Sequence, residues 1–276
     1  MIPKKTMRAL PRIEKPIEDT IFISEIAEGS KLDLLKINFA EDTDRHSNKI
    51  KNVTFKECVF SHQLIENITF LGCTFIKCQF NGAQIKNSEL HKCKFEDSCL
   101  YKTNFENTYV DPNSFKFTDD WRKYWSNVNA WLFQNLYRNS KNMHQEKFAM
   151  HADNKFLFYR RYEHLYGKTP SKAKFIKGFL FDWLLGNGYG IKNTIITSLI
   201  FIAAFTLSIK DSIKQTENQN LIDAFYLAIV SFTTVGYGDI TPQHEPIAIL
   251  ATIIFLIFSA VWGAVMTAII IKRIVK

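Results

Sequence analysis

From Ile50 onward every fifth residue is apolar: Ile50, Phe55, Phe60, Ile65, Phe70, Phe75, Phe80, Ile85, Leu90, Phe95, Leu100, Phe105 and Val110. Two residues before most of these stands a small side chain: Cys58, Cys73, Cys78, Ala83, Ser88, Cys93, Ser98, Thr103 and Thr108. A spacing of two puts both residues on one face of an extended segment. Five is odd, so an unbroken strand would turn every second large residue outward, and each unit must contain a bend. Four right-angle corners close a square of about 20 residues per turn, with neighbouring turns about 4.8 Å apart. Residues 50–110 then make roughly three coils. Cys58 and Cys78 are separated by one such turn, as are Cys73 and Cys93, so each pair is expected to stack between adjacent coils.

The pattern changes on either side. Residues 1–49 contain the alternating stretches "TIFISEI" and "LDLLKINF", which predict short strands leading into or capping the coil. Residues 111–177 read as a helical linker. One helix opens at "TDDWRKYWSNVNAWLFQNLYRN" with Thr118 as its cap, and a second runs from Met143 to Tyr166. Trp121, Trp125, Trp131, Phe148, Phe156 and Tyr159 are assigned to packing between these helices, and His144, His151 and His164 to a solvated face. Gly167 and "KTPSK" break the helix, and the aromatic segment 178–190 predicts a short helix along a membrane surface.

Residues 191–209 hold one charge, Lys192, and residues 246–271 none. Both exceed the roughly 18 residues that a membrane span requires, so two transmembrane helices are expected, an outer one over 191–210 and an inner one over 246–272. Between them, "KDSIKQTENQN" is polar. "LIDAFYLAIVSF" is apolar but too short to cross, which suits a re-entrant helix that stops halfway, followed by "TTVGYGD" to complete a pore segment over 221–239.

The units from Cys73 to Phe105 resemble the pentapeptide-repeat proteins, which favour a central Phe or Leu with a small residue two before it. The resemblance implies a right-handed quadrilateral β-helix over 50–110. Val53, Gln63 and Ile68 depart from the small-residue rule, which marks the first units as distorted or as a cap. The whole chain is therefore read as multidomain: the β-helix, a helical linker and an all-α membrane domain of two helices plus a pore loop.

In "TTVGYGD" the glycines answer a geometric need. A backbone whose successive carbonyls all point toward one axis alternates between right- and left-handed regions, and Gly236 and Gly238 reach the latter cheaply. The string closely resembles the potassium-channel signature TVGYG, including the preceding Thr233, the following Asp239 and the flanking two-span layout. That resemblance implies K+ sites at the carbonyls of Thr234, Val235, Gly236 and Tyr237 and at the Thr234 hydroxyl. Gly238 shapes the outer mouth, and the Val235 and Tyr237 side chains face away from the axis. Thr233, Asp239, Tyr226 and Val230 support the filter, with an expected Asp239–Tyr226 hydrogen bond and no carboxylate at Val230. One loop cannot close a ring, so a C4 homotetramer is expected. Gly263 is either a hinge or a small residue easing helix contact, and Ala260, Ala264, Met266 and Ile270 are candidates for the cavity or gate.

Charge adds orientation. The 276 residues carry a net +8, of which residues 111–190 contribute +6, from 13 Lys or Arg against seven Asp or Glu. Arg160, Arg161, Lys168, Lys172, Lys174 and Lys177 precede the first span, and Lys272, Arg273 and Lys276 follow the second. By the positive-inside rule both termini are cytoplasmic, in a multi-pass protein of the plasma (inner) membrane. The stretch before the first span serves either as an orientation signal alone or also as a contact for anionic lipids. Residues 50–110 balance seven Lys or Arg against six Asp or Glu, which fits neither a DNA mimic nor a nucleic-acid surface. No leader peptide, cofactor, metal cluster or enzymatic constellation is expected, and no Arg-rich helix precedes the pore. Control by the chain itself is expected from the long segment ahead of the first span, which either gates the pore or assembles it. A membrane-tethered scaffold with a non-conducting pore is the alternative reading.

Overall fold

A computed structural model of the chain describes residues 8–17, 19–39, 48–214 and 221–274. The expectations for 1–7, 18 and 40–47 of the leading segment, for 215–220 of the polar link and for Lys276 fall outside the described residues. The chain divides into two units, Met1–Gly178 and Phe179–Lys276.

The first unit contains a β-solenoid of about four turns. Three faces are parallel sheets: Lys49–Lys51 stacks under Thr69–Leu71, Glu89–His91 and Tyr109–Val110; Lys31–Asp33 under Thr54–Lys56, Thr74–Ile76, Lys94–Glu96 and Phe115–Lys116; Leu64–Glu66 under Gln84–Lys86 and Asn104–Glu106. The fourth face is a ladder of single bridges joining Lys36, Val59, Gln79 and Cys99. Registers such as Phe55↔Phe75, Phe75↔Phe95 and Phe95↔Phe115 set each central residue against its counterpart one turn on. The stack is taller than three coils because it gains strands at both ends. Phe115 continues the count of five, whereas Leu32 pairs with Phe55 at a separation that is not a multiple of five and so escapes a strict period.

The bends sit at one place in each unit. Two residues after each central apolar residue, from Asn52 to Asn107, φ is positive, between 46° and 70°. Asn, Asp or Gly occupies seven of these twelve corners, the types that enter the left-handed region most readily.

Inside, the large side chains stack in columns. Ring centroids of Phe55 and Phe75, Phe75 and Phe95, and Phe95 and Phe115 lie 5.0, 4.6 and 4.5 Å apart, close to the strand spacing. The small residues tie coil to coil: Ser98 Oγ donates to the Phe75 carbonyl at 3.1 Å and accepts from Cys78 N at 3.0 Å. Cys58, Cys73, Cys78, Cys93 and Cys99 are all buried free thiols.

Helices α1 (Asp119–Tyr124), α2 (Ser126–Asn142) and α3 (Glu146–Tyr166) follow. The single first helix expected from the sequence is broken at Trp125, and the second begins three residues later than Met143. Leu132, Phe133 and Leu136 of α2 join the solenoid core, and Tyr159 of α3 stacks on Phe133 at 5.5 Å. Thr118 occupies the N-cap position, but its hydroxyl donates to Asp97 instead of capping α1. Trp131 departs from the packing assignment: it is 38% exposed, on the face of α2 turned away from the core. α4 (Lys172–Leu185) starts earlier than the helix expected over 178–190 and ends at the glycine-rich turn Gly186–Gly188.

In the second unit, α5 (Ile191–Ile209) and α7 (Pro246–Ile274) are the two helices long and apolar enough to cross a membrane, and α6 (Leu221–Phe232) is the shorter apolar helix between them. Phe205 stacks on Phe255 at 4.0 Å, and Trp262 Nε1 donates to Ser198 Oγ at 2.8 Å, so α5 and α7 pack along their lengths.

Candidate functional site

The site is built where α6 stops. Thr233 N still donates to Ile229 O, as a helix would, but Thr234 N turns to Ser231 O, and Val235 N reaches Val230 O at 3.0 Å. These bonds tie the departing chain to the last turn of α6, whose negative dipole end lies at the same place. The chain then runs from Thr233 to Asp239 without a regular element.

Along this segment φ is positive at every second residue: 58° at Thr234, 58° at Gly236 and 78° at Gly238. A Cβ at either glycine would meet nothing within 4 Å, so the conformation and not lack of room calls for glycine. Thr234 is the unexpected member. A β-branched residue in the left-handed region is strained, and such strain persists only where the surroundings over-determine the backbone. Its hydroxyl donates to the Thr233 carbonyl at 2.7 Å, which leaves the oxygen lone pairs available to a cation.

Behind the segment, Tyr226 Oη on α6 donates to Asp239 Oδ2 at 2.8 Å. Val230 is buried and lines, with Ser231, Leu256 and Ile240, a hollow of about 320 Å³ that includes no carboxylate other than Asp239. Past Asp239, Thr241–Pro242 pairs antiparallel with Ile213–Lys214. Gln243 secures this hairpin, donating from N to Ser212 O at 2.8 Å and from Nε2 to Ile213 O at 3.1 Å. The Gln243 clamp has no recognisable signal in the sequence.

Val235 and Tyr237 remain 53% and 72% exposed, although both are large and apolar. Among the described residues nothing covers them.

On α7 the candidate gate residues separate. Ala260, Gly263 and Ala264 share an exposed face, and the space around Gly263 is open, so among the described residues no helix contact explains that glycine. Ile270 is exposed as well. Met266 is turned the other way, its Sδ 3.3 Å from Ser198 Oγ on α5, and does not join the others. At the end of α7, Arg273 Nη1 donates to the Tyr189 carbonyl at 2.9 Å and Lys272 Nζ lies 3.7 Å from the centre of the Tyr189 ring. The sequence assigned these cations to orientation alone.

The basic stretch divides too. Arg161 is buried, stacked near the rings of Phe158 and Tyr162, and is removed from the set open to lipid headgroups. Arg160, Lys168, Lys172, Lys174 and Lys177 are exposed.

Comparison with known proteins agrees with this division of the chain. Residues 194–276 match the ion channel family model, and residues 72–107 match pentapeptide repeats in eight copies. A hyperpolarization-activated voltage-gated potassium channel of Methanocaldococcus jannaschii is 39% identical over 64 residues, 22% of this chain and 31% of that one. Two-pore potassium channel 4 of Arabidopsis thaliana is 44% identical over 45 residues, 16% of each chain. The chain spans between 5% and 31% of the length of the curated relatives it matches. Among solved structures, QnrB1, a plasmid-mediated fluoroquinolone resistance protein, aligns at 18% identity and a TM-score of 0.17 over 36% of this chain and 68% of that one, too low a score to bear on the fold. The chain is a membrane protein whose C-terminal part is similar to ion channels and whose N-terminal part is similar to pentapeptide-repeat proteins.

Proposed function

We propose that the chain is one subunit of a potassium-selective channel, a C4 homotetramer whose filter is the segment from Thr234 to Gly238. The observation that carries this reading is the alternation of φ at Thr234, Gly236 and Gly238 directly after a helix that ends in the apolar unit. That backbone turns successive carbonyls toward one line, and four copies around an axis make rings of oxygens able to replace the hydration shell of a potassium ion. The exposure of Val235 and Tyr237 supports assembly, since neighbouring subunits would cover both side chains. In this arrangement α5 is the outer helix and α7 the inner one. At 29 residues and about 1.5 Å per residue, α7 exceeds the roughly 30 Å hydrocarbon layer and would sit tilted.

Both termini lie on the cytoplasmic side in this reading, and the solenoid with them. Potassium flux into liposomes holding the purified protein tests it, with sodium as the opposing ion and barium as the blocker. Selective, barium-sensitive flux is expected. Absence of flux both in the full chain and after deletion of residues 1–110 would revive the scaffold reading.

A further inference from the structure

The C-terminal half of α3, the turn after it and the first turn of α4 enclose a cleft of about 440 Å³, within the range of small-ligand sites. Three cations line it, each from a different element: Arg160 from α3, Lys168 from the turn and Lys174 from α4. Among the described residues none of the three has a carboxylate within ion-pair distance. Glu163 is the one acidic residue in the lining. Three cations against one carboxylate leave about two uncompensated positive charges, the complement of a phosphomonoester dianion and not of a singly charged diester.

Three further features fit. His164, also in the lining, is held below its ordinary pKa by burial first and then by Arg160 and Lys174, with Glu163 opposing, which favours its neutral form. The positive end of the 14-residue α4 opens beside Lys174, whose N–H turns to Ser171 Oγ at 3.4 Å. Asn127 of α2 adds an uncharged polar side chain to the lining.

We propose that this cleft binds a phosphomonoester group, held by Arg160, Lys168 and Lys174. Two sources share that chemistry, a membrane lipid with a terminal phosphate and a soluble phosphate ester. The site lies wholly within the first unit and does not depend on conduction by the pore.

Calorimetric titration of the full chain in neutral detergent tests the proposal with three probes: dioctanoyl phosphatidic acid, glycerol 3-phosphate, and dioctanoyl phosphatidylglycerol as the diester control. At least one monoester probe is expected to bind roughly fivefold or more tightly than the diester. Arg160→Gln and Lys174→Gln should each weaken that binding by roughly fivefold, and Glu163→Gln should strengthen it by a similar factor. Binding of phosphatidic acid alone assigns the site to a lipid, of glycerol 3-phosphate alone to a soluble ester, and of both to the phosphate itself. No binding of either monoester, equal binding of the diester, or affinities unmoved by all three substitutions overturns it.

Discussion

Asn139 pairs both ends of its side-chain amide with one residue: Oδ1 accepts from Thr108 N at 3.0 Å and Nδ2 donates to Thr108 O at 2.7 Å. Within the solenoid, the equivalent N–H of Cys78 finds Ser98 Oγ one coil further on. Thr108 has no such coil beyond it, and α2 supplies the missing partner. Asn135, one helical turn earlier, repeats the device with Phe105 N and Asn104 Oδ1. The helix thus closes the open end of the stack, which would otherwise expose strand edges.

Replacing Asn139 with Leu leaves a buried N–H and a buried C=O of Thr108 unpaired. About 2–5 kcal/mol of stability should be lost, each orphaned group accounting for roughly half. Denaturant unfolding of the first unit's tryptophan signal measures it. An effect below about 0.5 kcal/mol, the usual range of a surface substitution, would falsify the capping role.

The five cysteines should be silent toward maleimide in the native protein. All are buried, and only thiolate reacts. Burial pushes the Cys99 thiol up to about 11 and raises Cys78 well above its usual range, while the hydrogen bond to Cys73, with burial, raises Cys93. The hydrogen bonds to Cys78 and Cys93 lower Cys58 and Cys73 in turn, so at those two positions it is burial inside the coil that keeps the reagent out. Mass spectrometry after labelling should show no adducts at neutral pH and five after unfolding. Rapid native labelling of any coil cysteine would contradict the stacking.

Lys155 on α3 donates to the carbonyls of Pro112 at 2.8 Å and Phe115 at 3.2 Å, beneath the last coil. Burial lowers its pKa to about 8, with Asp111 opposing. The unfolded chain therefore binds the Lys155 proton more tightly than the folded one between about 8 and the ordinary 10.5. Stability contributed by this group should rise with pH across that window and be flat below it. The difference in thermal midpoint between wild type and Lys155→Met, taken as a function of pH, isolates the effect from other titrating groups. A difference that is constant from pH 7 to 10.5 would refute it.

The interior of the solenoid was legible because one requirement recurs in each coil: a large residue fills the axis and a small one beside it lets the next coil approach. The corners left a weaker trace. Asn52, Asn67, Gly72, Gly82, Asn87, Asp97 and Asn107 mark them, yet Glu57, Lys77, Lys92 and Lys102 adopt the same conformation, so composition alone blurs the position. The ends were hidden, since the step from Leu32 to Phe55 leaves the period. Asn135 and Asn139 read as an ordinary polar stripe on a helix until the coil lies beneath them.

The segment after α6 was legible in the same partial way. Its glycines announce a left-handed backbone, but Thr234 adopts the same conformation with nothing in its chemistry to say so. The division of Arg161 from Arg160 depends on which side of α3 faces the rings of Phe158 and Tyr162, and adjacent arginines carry no such information.

Tyr226→Phe removes the 2.8 Å bond to Asp239 while preserving the ring. The chain after Gly238 then loses its tie to α6, though Gln243 still holds the hairpin beyond it. Current in reconstituted bilayers should decay faster during sustained opening in the variant, with ion selectivity unchanged. Val230→Glu should alter the same decay by placing a carboxylate in the hollow with Asp239. Decay rates identical to wild type in both variants would count against the filter assignment.

At the far end of α7 two neighbouring cations grip one tyrosine from different sides. Arg273 holds the Tyr189 backbone, and Lys272 sits against the ring face at a distance where a cation–π contact is worth about 0.5–2 kcal/mol. Tyr189 follows the turn Gly186–Gly188 and immediately precedes the start of α5. The C-terminal end of α7 is therefore tied to the residue that precedes α5, and an outward swing of α7 would strain both contacts. Tyr189→Leu abolishes the ring contact and leaves the carbonyl, whereas Arg273→Gln weakens the carbonyl contact and leaves the ring. Each should shift open probability in the same direction, toward opening, and the double variant should exceed either alone because the two contacts are separate. At about 1 kcal/mol per contact the expected shift in the open-to-closed ratio is roughly fivefold for each single variant. Single-channel recording at fixed potassium reads this ratio directly. Opposite shifts from the two variants would show that the contacts belong to different states of the gate and are not one latch.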